Sequence, residues 1–171
     1  ITPLFKKSKK KIEVPSDMEI HMELNSVKKN KACIVPIISN KYPRFLRDVY
    51  DAPCILTCLG NIDIIDKDII AIVGSRSCSI NATKISRKIA EDLTNMGIVI
   101  VSGMAIGVDA NAHLGSIGGN SIGVLGGGID SRYPKENLSL YKQMLEHNNC
   151  LISPFCFGAP IIKQSFPQRN R

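Results

Sequence analysis

Three short apolar runs in the chain each end directly on glycine or serine. Residues 69–73 run into Gly74 and Ser75, residues 98–101 into Ser102 and Gly103, and residues 122–125 into Gly126, Gly127 and Gly128. Continuous runs of isoleucine and valine are typical of parallel strands that are buried on both faces. Small residues after such strands allow tight turns and point several backbone N–H groups at one anion. The pattern therefore predicts an α/β sheet with a phosphate-binding crevice at one edge.

Segments with helical periodicity separate the runs. The segment after the first run has apolar residues at helical intervals, and its predicted helix has Asn81 as N-cap and ends at Gly97. The predicted core face of this helix consists of Ala82, Ile85, Ile89, Ala90, Leu93 and Met96. Shorter helices are predicted at 108–117 and 138–145, and a fourth strand at 151–153. Because crossovers of this length join parallel strands, we expect a doubly wound, mostly parallel sheet with helices on both faces.

The chain is predicted to hold one main domain with a short extension. Its 171 residues, 44% of them hydrophobic, suffice for one ordinary core. Residues 1–32 are rich in lysine and weakly periodic, so we expect a basic, weakly ordered N-terminal segment. The main domain is expected over residues 33–171. It begins with two apolar runs, 33–38 and 54–59, which prolines and a Gly-Asn pair mark as short strands beside the main sheet.

Composition excludes several classes of protein. No apolar stretch is long enough to span a bilayer and no secretory signal is recognisable, so we expect a cytoplasmic protein. The six cysteines lack a Cys-x-x-Cys spacing, which predicts reduced thiols and no metal site. The net charge of +7 is concentrated at the two ends of the chain. The lysines between residues 6 and 11 are expected to be a solvated terminus, with a docking element as the alternative.

The loop after the first run narrows the chemistry of the crevice. Gly74 to Ser79 contains no Gly-x-Gly-x-x-Gly pattern, and no P-loop occurs anywhere, which argues against dinucleotide oxidoreduction and nucleotide hydrolysis of the P-loop type. Arg76 stands in this loop instead. Its rigid fork of donors suits a phosphodiester oxygen, whereas an ion pair with Asp109 is the structural alternative.

A catalytic alternative rests on Asp109 and His113. Their spacing of four residues places both on one face of a helix close to the glycine loops, where they could act as a general acid–base pair in a nucleotide-processing hydrolase. The structural alternative has Asp109 accepting N–H groups of the loops and His113 as an ordinary helix residue. We expect no catalytic residues. A third class, a module that binds only protein, stays open.

Four groups of residues together resemble the DNA-processing protein DprA family, also called Smf. They are residues 71–76 with Ser79; 101–105 with Gly107, Asp109, Ala112 and His113; 124–130 with Tyr133, Pro134, Glu136 and Asn137; and Phe166, Pro167 and 169–171. The segment 42–61 is similar to the part of the family that precedes the first strand. The resemblance covers about residues 33–171, and it implies that the domain is incomplete at its C-terminal end.

The resemblance implies a Rossmann-like domain that binds single-stranded DNA without a cofactor. It also implies homodimers, protection of incoming strands and help in loading the RecA recombinase during natural transformation. The residues expected to bind DNA or phosphate are Gly74, Ser75, Arg76, Ser79, Ser102, Gly103, Gly107, Asp109, Gly126, Gly127, Gly128, Lys163, Arg169, Asn170 and Arg171. The chain departs from the family pattern at Ala82, Ile106 and Pro154, and Ile106 removes a basic residue from the second loop.

Overall fold

Six strands form one mixed sheet in the order β1-β2-β6-β5-β4-β3. A computed structural model describes residues 14–170 of the chain. The strands are β1 (Ala32–Pro36), β2 (Ile55–Gly60), β3 (Ile69–Ala71), β4 (Val99–Ser102), β5 (Ser121–Val124) and β6 (Cys150–Ser153). Strands β3 to β6 are parallel, and the β1–β2 hairpin joins β6 in antiparallel fashion. The predicted α/β class and mostly parallel sheet are confirmed.

Helices pack on both faces of this sheet, as predicted. They are α1 (Asp17–Lys29), α2 (Arg44–Arg47), α3 (Ile80–Asn95), α4 (Val108–Ser116), α5 (Leu138–Glu146) and α6 (Ser165–Arg169), with short 3₁₀ helices at Ile62–Ile64 and Lys135–Asn137. Because β3 to β6 follow one another across the sheet, right-handed crossovers place α3, α4 and α5 on one face. Leu151 and Met144 share the core on that face. On the other face Ile122 packs with Tyr42 and Ile64 from the segment between β1 and β3.

The N-terminal segment contains a well-formed helix, which corrects the predicted weak order for residues 17–29. The Ser16 hydroxyl accepts a hydrogen bond from the Glu19 amide, and the Glu19 carboxylate accepts one from the Ser16 amide. This reciprocal cap satisfies two amides that the first turn would otherwise leave unpaired. Val27 is buried, and the Phe157 amide donates to Glu23 at 3.0 Å. The lysines between residues 6 and 11 lie outside the described residues.

Helix α3 begins earlier than predicted, and its predicted core face is confirmed in part: Ala90 is buried and Leu93 packs against the core. Its N-cap is Ser79, whose hydroxyl accepts from the Ala82 amide, and not Asn81. The buried residues are Ser86 and Ala90, whereas the predicted core residues Ile85, Ile89 and Met96 are 58%, 48% and 76% exposed. The reason is a close approach of α3 to α4: a Cβ on Gly115 would overlap the carbonyl of Arg87. Helices this close accept only small residues between them.

Two absences among the described residues bear on function. No helix within residues 14–170 is long and apolar enough to cross a membrane. In the same part of the chain, no group of three or more histidine, cysteine, aspartate or glutamate side chains is placed to hold a metal ion. All six cysteines are free thiols.

Candidate nucleic-acid interface

A cavity of about 300 Å³ opens at the carboxyl ends of β3, β4 and β5. Arg76 from the loop after β3, Gly103 from the loop after β4 and Gly126 from the loop after β5 lie in its wall. Arg169 and Phe166 of α6 complete this part of the lining. The three glycine-containing loops therefore meet at one edge of the sheet, where ligands bind in open α/β folds.

The loop after β3 is held in shape by its own small residues. The Ser75 hydroxyl donates to the Ser77 carbonyl and accepts from the Ser77 amide. Ser79 is occupied in capping α3, and the Gly74 amide donates to Asp109 at 3.4 Å. Ser75 and Ser79 thus fix the loop through hydrogen bonds within the chain. Arg76 is the exposed cationic side chain of this loop.

Arg76 is exposed and keeps its guanidinium free of acidic partners. The guanidinium carbon lies 4.9 Å from the centre of the Phe166 ring, a cation–π contact that orients the side chain over the cavity. The alternative ion pair with Asp109 is absent, and Arg76 makes no salt bridge with any residue between 14 and 170. Its donors therefore remain available to an anion at the mouth of the cavity.

Arg169 lines the same cavity, but most of its N–H groups donate hydrogen bonds to other residues of the protein. Its Nη1 donates to the carbonyl oxygens of Gly103 and of Val124, the latter at 2.6 Å, and its Nε donates to Asn170 at 2.9 Å. Burial lowers the pKa of Arg169, while the nearby Asp109 carboxylate opposes that shift. A Cβ on Gly103 would overlap the guanidinium. Arg169 therefore clamps α6 onto the ends of β4 and β5, a structural role that the sequence did not predict.

The glycine triplet after β5 is buried beneath the chain that follows β6. A Cβ on Gly126 would lie 3.1 Å from the Phe166 ring, and one on Gly127 would lie 2.6 Å from Ile161. The Gly128 amide donates to the Ala159 carbonyl at 3.0 Å. The segment before α6 therefore packs on the glycine triplet. Because the triplet is buried, its backbone amides are not the row of exposed donors that the sequence predicts.

Ser102 and Gly107 also serve the architecture of the loops. The Ser102 hydroxyl is buried and donates to the Ile72 carbonyl at 2.6 Å, which ties β4 to the end of β3. Gly107 has a φ of +83°, and a Cβ there would overlap the Ser75 carbonyl. The Val108 amide donates to that same Ser75 carbonyl at 3.2 Å. The second loop is thus packed directly on the first.

Asp109 and His113 are enclosed by the protein. Asp109 is 5% exposed, and its two oxygens accept from the amides of Gly74 and Gly103, at 3.4 and 3.2 Å. His113 is fully buried with its Nδ1 2.7 Å from the Ser121 hydroxyl, and burial lowers its pKa to about 4. Asp109 therefore holds the two loops together, and His113 is enclosed in the core beneath them. The geometry gives the hydrolase alternative no support.

Sequence reasoning left several lining residues out of the site, including Phe166, Tyr133 and Lys135. Tyr133 is 45% exposed, and its ring centre lies 6.0 Å from that of Phe166. Lys135 is exposed in the cavity wall next to Tyr133. Aromatic residues interleaved with basic ones, as in Tyr133-Pro134-Lys135, are the signal that could have identified them. Ile106 also lines the cavity, 37% exposed.

The remaining predicted residues lie at the C-terminal end. Lys163 is exposed and makes no hydrogen bond or ion pair with the part of the chain that the structure describes. Asn170 accepts from Arg169. Arg171 lies outside the described residues.

Several proteins are similar in amino-acid sequence to most of this chain. DNA processing protein DprA of Streptococcus pneumoniae is 39% identical over 137 residues, which make up 79% of this chain and 48% of that protein. DprA of Bacillus subtilis is 36% identical over 140 residues, 80% of this chain and 47% of that protein. Protein Smf of Escherichia coli is 34% identical over 140 residues, 81% of this chain and 37% of that protein. The chain spans about half the length of the first two relatives and less of the third.

Solved structures and a family profile agree with these sequences. An X-ray structure of DprA from Streptococcus pneumoniae matches with a TM-score of 0.75 and 35% identity, over 90% of this chain and 56% of that one. A Helicobacter pylori DprA structure, described by its single-stranded DNA binding mode, matches with a TM-score of 0.74 and 28% identity, over 82% and 63%. The profile of DNA recombination-mediator protein A matches residues 33–171. The chain belongs to the DNA recombination-mediator protein A family, whose members are named DprA or Smf.

Proposed function

We propose that the chain binds single-stranded DNA across the cavity at the carboxyl ends of β3, β4 and β5. The observation that carries the proposal is the exposed guanidinium of Arg76, which has no acidic partner among residues 14–170 and lies over an aromatic-lined recess. Arginine binds phosphate through two donors at once, so one phosphodiester group would sit on Arg76. Lys135 adds a further cation in the wall of the same cavity.

The aromatic side chains favour an unpaired strand over a duplex. Tyr133 offers a half-exposed ring beside the recess, and each base has a π-face that stacks on such a ring. In a duplex those faces are already covered by neighbouring bases. A strand held by its phosphates and by stacking is read with little regard to sequence, so we expect binding to tolerate any base order.

Structural residues position this interface. Asp109 joins the loops after β3 and β4, and Arg169 fastens α6 and its Phe166 ring beside them. The Nη2 of Arg169 makes no hydrogen bond within the described residues, so it can add one donor toward a phosphate. Ser75, Ser102 and the glycine triplet act by shaping the loops.

Family membership supports the wider role. For a non-catalytic protein of this family, the fitting role is DNA processing in natural transformation, in which the protein protects the bound strand and passes it to a RecA recombinase. The same role fits a dimer and a cytoplasmic location. The Helicobacter pylori relative is described by the way it binds single-stranded DNA, which supports the same ligand here.

Fluorescence anisotropy tests the proposal directly. We expect labelled oligo(dT) and mixed-sequence strands to bind with similar affinity and the matching duplex to bind at least tenfold more weakly. Arg76→Ala should weaken every single strand by a similar factor, whereas Arg87→Ala, an exposed arginine on α3, should leave binding unchanged. Equal binding of duplex and single strand, or release of base or ribose phosphate from nucleoside monophosphates, would contradict it.

A further inference from the structure

A group of cysteines lies on one face of the sheet, away from the cavity. Cys33 on β1 faces Cys58 on β2 in the antiparallel register, and Cys150 on β6 belongs to the same core cluster as Cys58. Cys33 is exposed, whereas Cys58 and Cys150 are 1% and 0% exposed. One accessible sulfur therefore lies directly against one enclosed sulfur.

The register gives these two cysteines a Cα spacing within the range of a disulfide. The Cβ atoms of a hydrogen-bonded pair lie farther apart than in a relaxed disulfide, so closing the bond requires a small shift of the edge strand β1. The Ile37 amide donates to the Cys54 carbonyl at 2.8 Å, so that facing pair is a hydrogen-bonded one. Pair types alternate along an antiparallel ladder, which makes the Cys33–Cys58 pair, four residues along, a hydrogen-bonded one as well. Such pairs have Cα atoms about 5.5 Å apart. Disulfides span Cα distances of about 4.4 to 6.8 Å.

We propose that Cys33 and Cys58 form a site of reversible oxidation by hydroperoxides, in which Cys33 reacts first and Cys58 closes a disulfide. The neighbouring Cys58 thiol and the charge of Lys41 lower the pKa of Cys33 to about 7, whereas the neighbouring Cys33 sulfur and burial raise the pKa of Cys58. The exposed sulfur is thus the nucleophile and the buried one the resolving thiol.

The two steps balance with a hydroperoxide as the oxidant. The Cys33 thiolate attacks the terminal peroxide oxygen, the O–O bond breaks, and the alkoxide or hydroxide takes up a proton and leaves as alcohol or water. Cys33 becomes a sulfenic acid, oxidised by two electrons. The Cys58 sulfur then attacks the Cys33 sulfur and expels hydroxide, which combines with the Cys58 proton as water. The products are one disulfide, one alcohol or water, and one further water.

Peptide mapping after peroxide treatment tests the proposal. The reduced full chain is treated with hydrogen peroxide at pH 7, alkylated and digested with trypsin without reductant. We expect residues 32–41 to become linked to residues 48–67 with the loss of two hydrogens. Because the second peptide contains both Cys54 and Cys58, the matched control is Cys54→Ser, which should keep the link. Linkage through Cys54 or Cys150, or no linkage, would overturn the proposal.

Two variants and the rate of reaction with peroxide separate the roles of Cys33 and Cys58. Cys33→Ser changes an exposed position, so the fold should persist while the link disappears and Cys58 stays reduced. In Cys58→Ala, dimedone should trap a sulfenic acid on Cys33. A thiol of ordinary pKa is only about 3% thiolate at pH 7, whereas a thiol of lowered pKa is more fully ionised and each of its thiolates is somewhat less nucleophilic, so Cys33 should react with peroxide about threefold faster than free cysteine. A Cys33 that reacts no faster than free cysteine would also overturn the assignment.

Discussion

Two arginines from distant parts of the sequence line the same cavity, and the groups that each contacts give them different roles. The exposed position of Arg76 follows from its place just after a strand, which could be predicted from the sequence. The structural commitment of Arg169 could not, because it depends on the carbonyls of Gly103 and Val124, which lie 66 and 45 residues away in the chain. Sequence patterns indicate residue types near an edge, but they do not show which donors the protein itself uses.

These different roles predict unequal losses of stability when each arginine is replaced. Arg169→Ala leaves two strand-end carbonyls without a charged donor, so we expect the free energy of unfolding to fall by about 2 kcal/mol. Arg76→Ala should change it by less than about 0.5 kcal/mol, since the side chain is exposed. Urea denaturation followed by circular dichroism measures both. Equal losses in the two variants would contradict the assigned roles.

Buried His113 predicts a dependence of stability on pH. Its pKa in the fold, about 4, is below the value of about 6.5 in an unfolded chain, so the unfolded state takes up the proton first. The free energy of unfolding should therefore fall, by on the order of 3 kcal/mol from this group, as the pH drops from about 6.5 to about 4. Denaturation curves across that range measure the slope.

Two controls separate His113 from other groups. His113→Gln should flatten that slope, whereas His147→Gln, an exposed histidine, should keep it. If the first variant does not fold, NMR titration of the wild-type ring replaces it. A His113 ring that gains its proton above pH 6 would contradict the prediction.

At the scale of elements, the strands and α3 show what an apolar pattern can and cannot predict. The strand positions were predicted to within two residues because continuous isoleucine and valine runs are distinctive. The buried face of α3 was predicted in part: Ala90 and Leu93 pack in the core, whereas the large residues predicted beside them are exposed, because periodicity counts apolar side chains and the contact with α4 depends on closeness at Gly115. The isoleucines at positions 85 and 89 are large, so the close contact excludes them and leaves them exposed.

The close contact between α3 and α4 predicts that replacing glycine by alanine at Gly115 destabilises the protein, although the same change in a helix normally stabilises it. Gly115→Ala should normally stabilise α4, by about 1 kcal/mol, through helix propensity. Here the added Cβ would overlap the Arg87 carbonyl, so we expect a net loss of about 2 kcal/mol. Gly118→Ala, where nothing lies within 4 Å of the added atom, is the matched control and should stay within about 0.5 kcal/mol. Stabilisation by Gly115→Ala in thermal or urea unfolding would refute the contact.

At the scale of the whole molecule, the meeting of the glycine loops at one edge follows from parallel strand order, and this could be predicted. The attachment of the β1–β2 hairpin to β6 could not be predicted, because it depends on contacts between distant parts of the chain. Asn149 is one of these: its carbonyl accepts from the Asn61 amide, and its side chain accepts from the Ser121 amide and donates to Ile117. This buried asparagine hydrogen-bonds three separate segments of the chain, and a single polar residue gives no sequence pattern from which these contacts could be predicted.

The central claim is that Arg76 neutralises a phosphate of an unpaired strand at this edge. Its most direct test is the affinity for oligo(dT) measured over a range of NaCl concentrations for the unchanged chain, Arg76→Ala and Arg87→Ala. Each neutralised phosphate of a single strand contributes about 0.7 to the slope of log affinity against log salt. We expect Arg76→Ala to reduce that slope by about 0.7 and Arg87→Ala to leave it unchanged. A slope unaltered by Arg76→Ala would contradict the account.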